Sequence, residues 1–362
     1  MIKEKIIKKV GIIYLDRPEI INALNLKMVN DIEKILKKWE NDDNIRAVLF
    51  DSLCERGFCA GGDLKEIYKD YLLDDGDKNK DEFYEREFIL DKYVRDYKKP
   101  IISHYFGIVM GGGIGLTINS DLIIADESVV WAMPETRLGF VPDVGVGKHI
   151  SKISQHLGQY LGLCGESLSS IDLKKYNLVD LYIKSSDYDK VLKILFDLSQ
   201  KYEGEKLIEE LKKQAKEYEH LEKKSKISEN IEKIEKYFSH SSIEEIFGNL
   251  EENAKEDEFA RKILKKLYEK SPLMLKVQFE KYFIGKNQSS DQVFDLDLKI
   301  LKYSRKNGLM QEGIRSLIID KKKADWEEES VYKVSDEKVK KYWESKTYTR
   351  KNKNMRIYNL FL

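Results

Sequence analysis

Apolar positions in the first 190 residues follow two periods. Short apolar runs at Val10–Leu15, Ile45–Phe50, Ile101–Val109, Asp121–Ala125 and Val129–Ala132 predict strands. Between them, Leu24–Trp39 places Leu24, Met28, Ile32, Ile35, Leu36 and Trp39 on one face at helical spacing. Leu64–Leu72 predicts a second amphipathic helix. Four of the five prolines and most glycine clusters fall in this stretch, so the layout is mixed α/β with turns of special geometry.

After Lys190 the texture changes. A Lys/Glu-rich series runs to about Lys270, with LIEELKKQAKEYEHLEKKSKI and IEKIEKYF as examples. Opposite charges four residues apart predict helices with one solvated face. Such a series reads as a helical insert whose charges face water, or as an arm that binds a partner, and the first is the commoner case. Ser271-Pro272 opens a more apolar region that runs to the end. The chain thus divides into residues 1–190, a charged helical insert at 191–270 and a helical C-terminal region at 271–362.

Composition removes several classes of function. The 362 residues carry 64 Lys+Arg and 64 Asp+Glu, a net charge of zero, so nothing global draws the chain to nucleic acid or to anionic lipid. No apolar run approaches the roughly 18 residues a membrane span needs. The start, MIKEKIIKKVGIIYL, lacks an apolar segment followed by a cleavage site, which argues against a secretory signal. It also argues against an attached transit peptide. Cys54, Cys59 and Cys164 form no C-x-x-C pair and point to a reducing compartment. The five histidines show no metal-binding spacing, so no metal is expected.

Two glycine clusters carry the candidate chemistry. Phe58-Cys59-Ala60-Gly61-Gly62-Asp63-Leu64 and Met110-Gly111-Gly112-Gly113-Ile114-Gly115-Leu116 each follow a strand and open a helix. Both place bare backbone N–H groups where the helix dipole favours negative charge. Each alone reads equally as a tight turn. Together they can hold one oxygen between two donors, an oxyanion hole. A dinucleotide fingerprint fails because its last glycine falls on Leu116, and no phosphate-binding P-loop is present. Downstream, Glu135 and Asp143 lie among apolar, Gly and Pro residues, where a carboxylate is costly unless hydrogen-bonded or raised in pKa. They are candidates for a base or nucleophile, with a plain surface loop as the alternative. Cys59 reads as small-residue packing and His104 as an ordinary strand residue.

With these elements in order, the chain resembles the enoyl-CoA hydratase/isomerase (crotonase) superfamily. The resemblance rests on Asp16-Arg17-Pro18, Asn22-Ala23-Leu24, Ala60–Asp63, Gly111–Gly113 and Pro134-Glu135. It implies an α/β fold, a crotonase-like spiral of ββα units, with residues 1–190 as the acyl-CoA-binding catalytic core and a C-terminal helical region. A hydratase would carry a second glutamate where this chain has Gly115, which disfavours hydration. Finer matches, Met110–Leu116, Ala132–Thr136, Val141–Gly145, Ser271-Pro272 and Glu312-Gly313-Ile314-Arg315, resemble the thioester-cleaving 3-hydroxyisobutyryl-CoA hydrolase branch.

That resemblance implies hydrolysis of a small 3-hydroxyacyl-CoA, as in valine breakdown. Gly62 and Gly112 supply the oxyanion amides. Glu135 attacks the carbonyl or deprotonates water, with Gly115 leaving room beside it. Asp143 binds the 3-hydroxyl or tunes Glu135, and Glu87 faces the acyl group. CoA lies along Ile20–Leu24 and Ala60–Leu64, so Ala23, Ala60, Gly62, Asp63 and Leu64 join the substrate-binding set. Arg17 reaches the phosphates or holds the turn. No cofactor is implied beyond the CoA of the substrate, and no nucleic acid or membrane partner. Homo-oligomers form in relatives through C-terminal helices. A cytoplasmic place follows, or the mitochondrial matrix for a eukaryotic chain that has lost a transit peptide. The rival readings are a hydratase or isomerase of the same superfamily and a non-catalytic acyl-CoA-binding protein.

Overall fold

A computed structural model of the chain describes residues 1–73, 80–220 and 224–344. Among the described residues, nine strands form two sheets: β1 (Ile2–Ile7), β2 (Val10–Leu15), β3 (Ala47–Ser52), β4 (Gly57–Cys59), β5 (Ile101–Tyr105), β6 (Ile108–Met110), β7 (Leu122–Ala125), β8 (Val130–Ala132) and β9 (Leu181–Tyr182). The large sheet has the order β1-β2-β3-β5-β7-β9 and the small one β4-β6-β8. Only β1 runs antiparallel to its neighbour.

The run Ile101–Val109, expected as one strand, is two. The chain leaves the large sheet after Tyr105 and enters the small sheet at Ile108. Gly107 makes the break: its φ is +49°, and a Cβ there would lie 2.3 Å from the Arg56 carbonyl oxygen. The pairs β3/β4 and β7/β8 repeat this step from large sheet to small. The result is the expected spiral of strand–strand–helix units. Three-residue strands such as β4 are too short for their period to show in sequence.

Both faces of the large sheet are covered, so its strands read as near-continuous apolar runs. Val10, Ile12, Ala47, Leu49, Ile102, Leu122 and Ile124 face the helices Tyr188–Ser199 and Gly204–Ala215. Ile13, Leu15, Val48 and Phe50 face the other way, onto helix α1 (Leu26–Glu40). Asn25 caps α1 through a bond from the Met28 amide at 3.0 Å, and this sets its start two residues later than the pattern alone suggested. Met28, Ile32, Leu36 and Trp39 are buried as the spacing requires.

The charged series forms helices whose apolar residues turn inward. Ile227, Ile234, Tyr237, Phe238, Ala260, Ile263 and Leu267 join the same apolar cluster as α1, and so do Phe294 and Val331 from the last third of the chain. That cluster crosses both expected boundaries. The charges outside pair along the helix, as in Lys262–Glu258 at 2.7 Å and Lys206–Glu210 at 3.2 Å, contacts of small individual worth.

Candidate active site

The small sheet brings the two glycine turns together. Strand β4 pairs in parallel with β6, so the turns that follow them lie side by side. A Cβ on Gly61 would sit 3.5 Å from the Gly112 nitrogen. The first turn opens helix α2 (Leu64–Leu72) and the second opens helix α4 (Gly112–Thr117), separated in sequence by helix α3 (Glu82–Arg95).

The hydrogen-bond register aims the Gly62 amide. Leu24 donates to the Gly61 carbonyl and accepts from the Asp63 amide, both at 2.7 Å. Successive N–H groups of an extended chain point to opposite sides, so the Gly62 N–H points away from Leu24. Gly112 is the first residue of α4, where an amide has no partner inside its own helix.

The first cluster is also fixed from below. Asp63 accepts from the Lys65 and Glu66 amides at 3.2 and 3.1 Å, capping α2. It pairs with Arg17 at 2.8 Å. Arg17 donates to the Ala23 carbonyl at 3.0 Å, and its amide donates to Asn22 Oδ1 at 2.7 Å. Arg17 and the Asp63 carboxylate therefore hold the Ile20–Leu24 turn against the Ala60–Leu64 turn. Ala60 joins the same pairing through its amide to the Ile21 carbonyl at 2.9 Å. Cys59 donates to the Asn22 carbonyl at 3.2 Å, and burial pushes its thiol up to about 12, so it is an inert packing group.

Four buried carboxyl groups surround the two turns. Glu87 and Asp91 are one turn apart on α3, Glu135 follows β8 in a short 3-10 turn, and Asp143 lies in the next loop. Glu87 lies hard against Gly112: a Cβ there would fall 2.0 Å from Glu87 Oε1. A Cβ on Gly111 would stand 3.3 Å from Glu135 Oε1. Glu87 Oε1, Glu135 Oε2 and both Asp91 oxygens are buried without a hydrogen-bond partner among the described residues.

Burial dominates the ionisation of all four. It pushes Glu87 up to about 8, with the Glu135 charge adding to the effect. Glu135 is pushed up to about 7; its backbone and the charges of Lys270 and Lys281 pull against that rise. Asp143 and Asp91 are held well above the usual carboxylate range by burial, with neighbouring carboxylates next. Groups in this state supply both a nucleophile or base and neutral acid donors near pH 7.

Asp91 was not among the residues singled out from sequence, although it lies four residues from Glu87 on one helix face. It also corrects an expectation about Gly115. That glycine leaves no open room beside Glu135. A Cβ there would meet Val144 Cβ at 2.5 Å and Asp91 Oδ2 at 2.7 Å, so the space is already filled.

The last third of the chain builds the other wall. Lys281, on the Pro272–Lys286 helix, pairs with Asp297, on the Ser290–Lys306 helix, at 2.6 Å with both side chains buried. Asp297 accepts from the Gly145 amide at 2.9 Å, and Lys281 donates to the Pro142 carbonyl. The pair thus clamps the loop that carries Asp143. The Ser290–Lys306 helix also holds α3 through Lys92–Asp295 at 2.8 Å, Arg95–Asp291 at 2.9 Å and a Phe88–Phe294 edge contact. None of these long-range partners carries a local sequence signal.

A sheet spiral that sets two glycine turns beside a buried acid defines an acyl-CoA enzyme of the crotonase class, and the comparisons agree. The chain belongs to the enoyl-CoA hydratase/isomerase family, whose model matches residues 10–343. Within it, the chain is 32% identical over 331 residues to the mitochondrial 3-hydroxyisobutyryl-CoA hydrolase of Xenopus laevis, covering 91% of this chain and 85% of that protein. It is 29% identical to the Homo sapiens protein of the same name, covering 92% and 86%. Among solved structures, it resembles a carnitinyl-CoA dehydratase from Mycobacterium thermoresistibile with TM-score 0.83 and 26% identity, covering 94% and 95% of the two chains. An enoyl-CoA hydratase from Rhodobacter sphaeroides 2.4.1 matches with TM-score 0.82 and 27% identity, covering 94% and 96%.

Proposed function

We propose that the protein hydrolyses a small 3-hydroxyacyl-CoA thioester, 3-hydroxyisobutyryl-CoA or 3-hydroxypropionyl-CoA, to the free acid and CoA. One observation carries this reading: of the four buried acids, Glu135 reaches the second glycine turn from the turn after β8, while the position that would carry a hydratase's second glutamate is Gly115. Hydration needs one group for water and another for the α-carbon proton. Thioester cleavage needs one nucleophile and a place for the negative oxygen.

The thioester carbonyl oxygen lies between the Gly62 and Gly112 amides. Glu135 attacks the carbonyl carbon, and the tetrahedral oxyanion draws on both N–H groups. Collapse expels the CoA thiolate and leaves an anhydride between Glu135 and the acyl group. Water then attacks the Glu135 carbonyl carbon of the anhydride, so the hydroxy acid leaves with the bridging oxygen and the Glu135 carboxylate is restored with one solvent oxygen. Glu87 and Asp143, held neutral near pH 7 by burial, donate to the acyl hydroxyl. A polar site of this kind rejects an analogue that lacks the hydroxyl. CoA runs along Ala23 and the Ala60–Leu64 backbone, with Arg17 holding that track. The reaction draws on no cofactor. Its place is the cytoplasm, or the mitochondrial matrix of a eukaryotic cell, the relatives' names being mitochondrial, and the C-terminal helices are the surface for homo-oligomer formation.

A thiol-release assay tests the assignment. Release from 3-hydroxyisobutyryl-CoA at least tenfold faster than from acetyl-CoA is expected. No release, or an absorbance change with crotonyl-CoA alone, overturns it in favour of a hydratase. A ligand-induced melting shift without turnover marks a binding protein. Single turnover in ¹⁸O-water is expected to place label in the Glu135 carboxylate, which the water-activating route cannot do.

A further inference from the structure

Four like-charged groups in one buried site cannot all ionise, so something must select the one that carries the charge. From α3 come Glu87 and Asp91, from the next loop Asp143, and from the 3-10 turn Glu135. The charges of two lysines, Lys270 and Lys281, act on Glu135. Lys281 is already balanced by Asp297. Lys270 is not.

The Lys270 side chain is buried, at 4% exposure, and its ammonium makes no hydrogen bond or ion pair among the described residues. Its seat is built. The ammonium lies 3.5 Å from where a Cβ on Gly165 would stand, at the C-terminus of the Gln155–Cys164 helix, where the dipole favours a cation. That same point is 2.9 Å from the Pro134 Cα, one residue before Glu135. The next amide along, Ser271, donates to the Thr136 carbonyl at 3.2 Å and ties the lysine to the turn that bears the acid. The other charged or titratable groups facing Lys270 are Cys164, Glu166 and Arg137. Glu166 is paired with Lys266, and Arg137 with Glu269 at 3.2 Å. Glu135 is left as the buried acid whose charge Lys270 balances.

We infer that Lys270 is a positioning residue for charge: it places the single negative charge of the carboxyl cluster on Glu135 and leaves Glu87, Asp91 and Asp143 as neutral donors. Burial brings the lysine itself down to about 8, so its help fades in alkali, where Glu135 ionises unaided. The inference rests on the hydrolase reading above and names the residue that prepares its nucleophile.

The test is the pH profile of thiol release for wild type, Lys270→Met, Lys270→Gln and Lys270→Arg. Loss of the charge is expected to move the acidic limb up by about one pH unit. That lowers kcat/KM roughly eightfold at pH 6.5 and leaves it near wild type at pH 9. Lys270→Arg is expected to keep the wild-type limb. A loss of rate equal at all pH values, or an unmoved limb in both neutral variants, overturns the inference. If Lys270→Met does not fold, Lys270→Gln carries the same comparison. A wild-type protein with no thioesterase activity sinks the hydrolase reading instead, and the two failures are distinct.

Discussion

Two buried polar clusters sit on opposite sides of the large sheet, and they are built on opposite principles. Beyond its outer face, Asp51 accepts from His104 Nδ1 at 3.1 Å, the Ser52 amide at 2.8 Å and the Tyr188 hydroxyl at 2.9 Å. His104 stacks on Tyr188 with ring centroids 3.5 Å apart. Both Asp51 oxygens are engaged, only His104 Nε2 is buried without a partner among the described residues, and the cluster fastens the Tyr188–Ser199 helix to the sheet. On the other side, Glu87, Asp91, Asp143 and Glu135 are four acids that would repel one another if ionised, and four of their oxygens lack partners among the described residues. A carboxylate whose acceptors are filled stabilises; an unsatisfied, self-repelling group of acids is held in place by the rest of the fold and is completed by a ligand.

The comparison makes unequal predictions for the two sides. The largest effect is expected at Glu135→Gln: turnover falls by at least about 10³-fold while acyl-CoA binding, measured by calorimetry, stays within a few-fold of wild type. Near-normal turnover removes Glu135 from its role and dissolves the contrast. On the other side, Asp51→Ala strands a ring nitrogen, a hydroxyl and an amide. It is expected to cost about 2–4 kcal/mol in urea unfolding with activity per folded molecule unchanged. A variant that is stable but inactive reverses the assignment of the two clusters.

The smallest effect is the most diagnostic. The folded Glu87 carboxyl is raised to about 8, so its contribution is present below its ordinary value near 4.5 and is lost as pH rises toward 8. Glu87→Gln removes that loss. Its Tm is expected to exceed wild type by roughly 3–6 °C at pH 8 and to match it near pH 4.5. A Tm deficit at pH 8 means the carboxylate is satisfied after all.

Much of this was legible before folding. The glycine turns, Glu135 and Asp143 announce themselves because each sits in a local context that ordinary surface sequence does not need. The face of α1 and the start of α2 follow from spacing and capping, which are properties of a few neighbouring residues. Glu87 needed the family resemblance, and Asp91 escaped even though its spacing from Glu87 was in view. The break inside Ile101–Val109 was hidden because nothing local says that Gly107 must clear the Arg56 carbonyl.

What the sequence by itself determined, then, is the chemistry on offer: two donor turns, two acids in apolar surroundings, and helices with one wet face. Only the tertiary structure decided the state of that chemistry. It filled the space at Gly115 with Val144 and Asp91, clamped the Asp143 loop with Lys281 and Asp297, and set Lys270 against the turn that bears Glu135. Those partners lie far apart along the chain, and local periodicity reaches only a few residues. Burial and Coulomb interaction act through space, so the charge on a carboxyl is fixed only once the chain has closed around it.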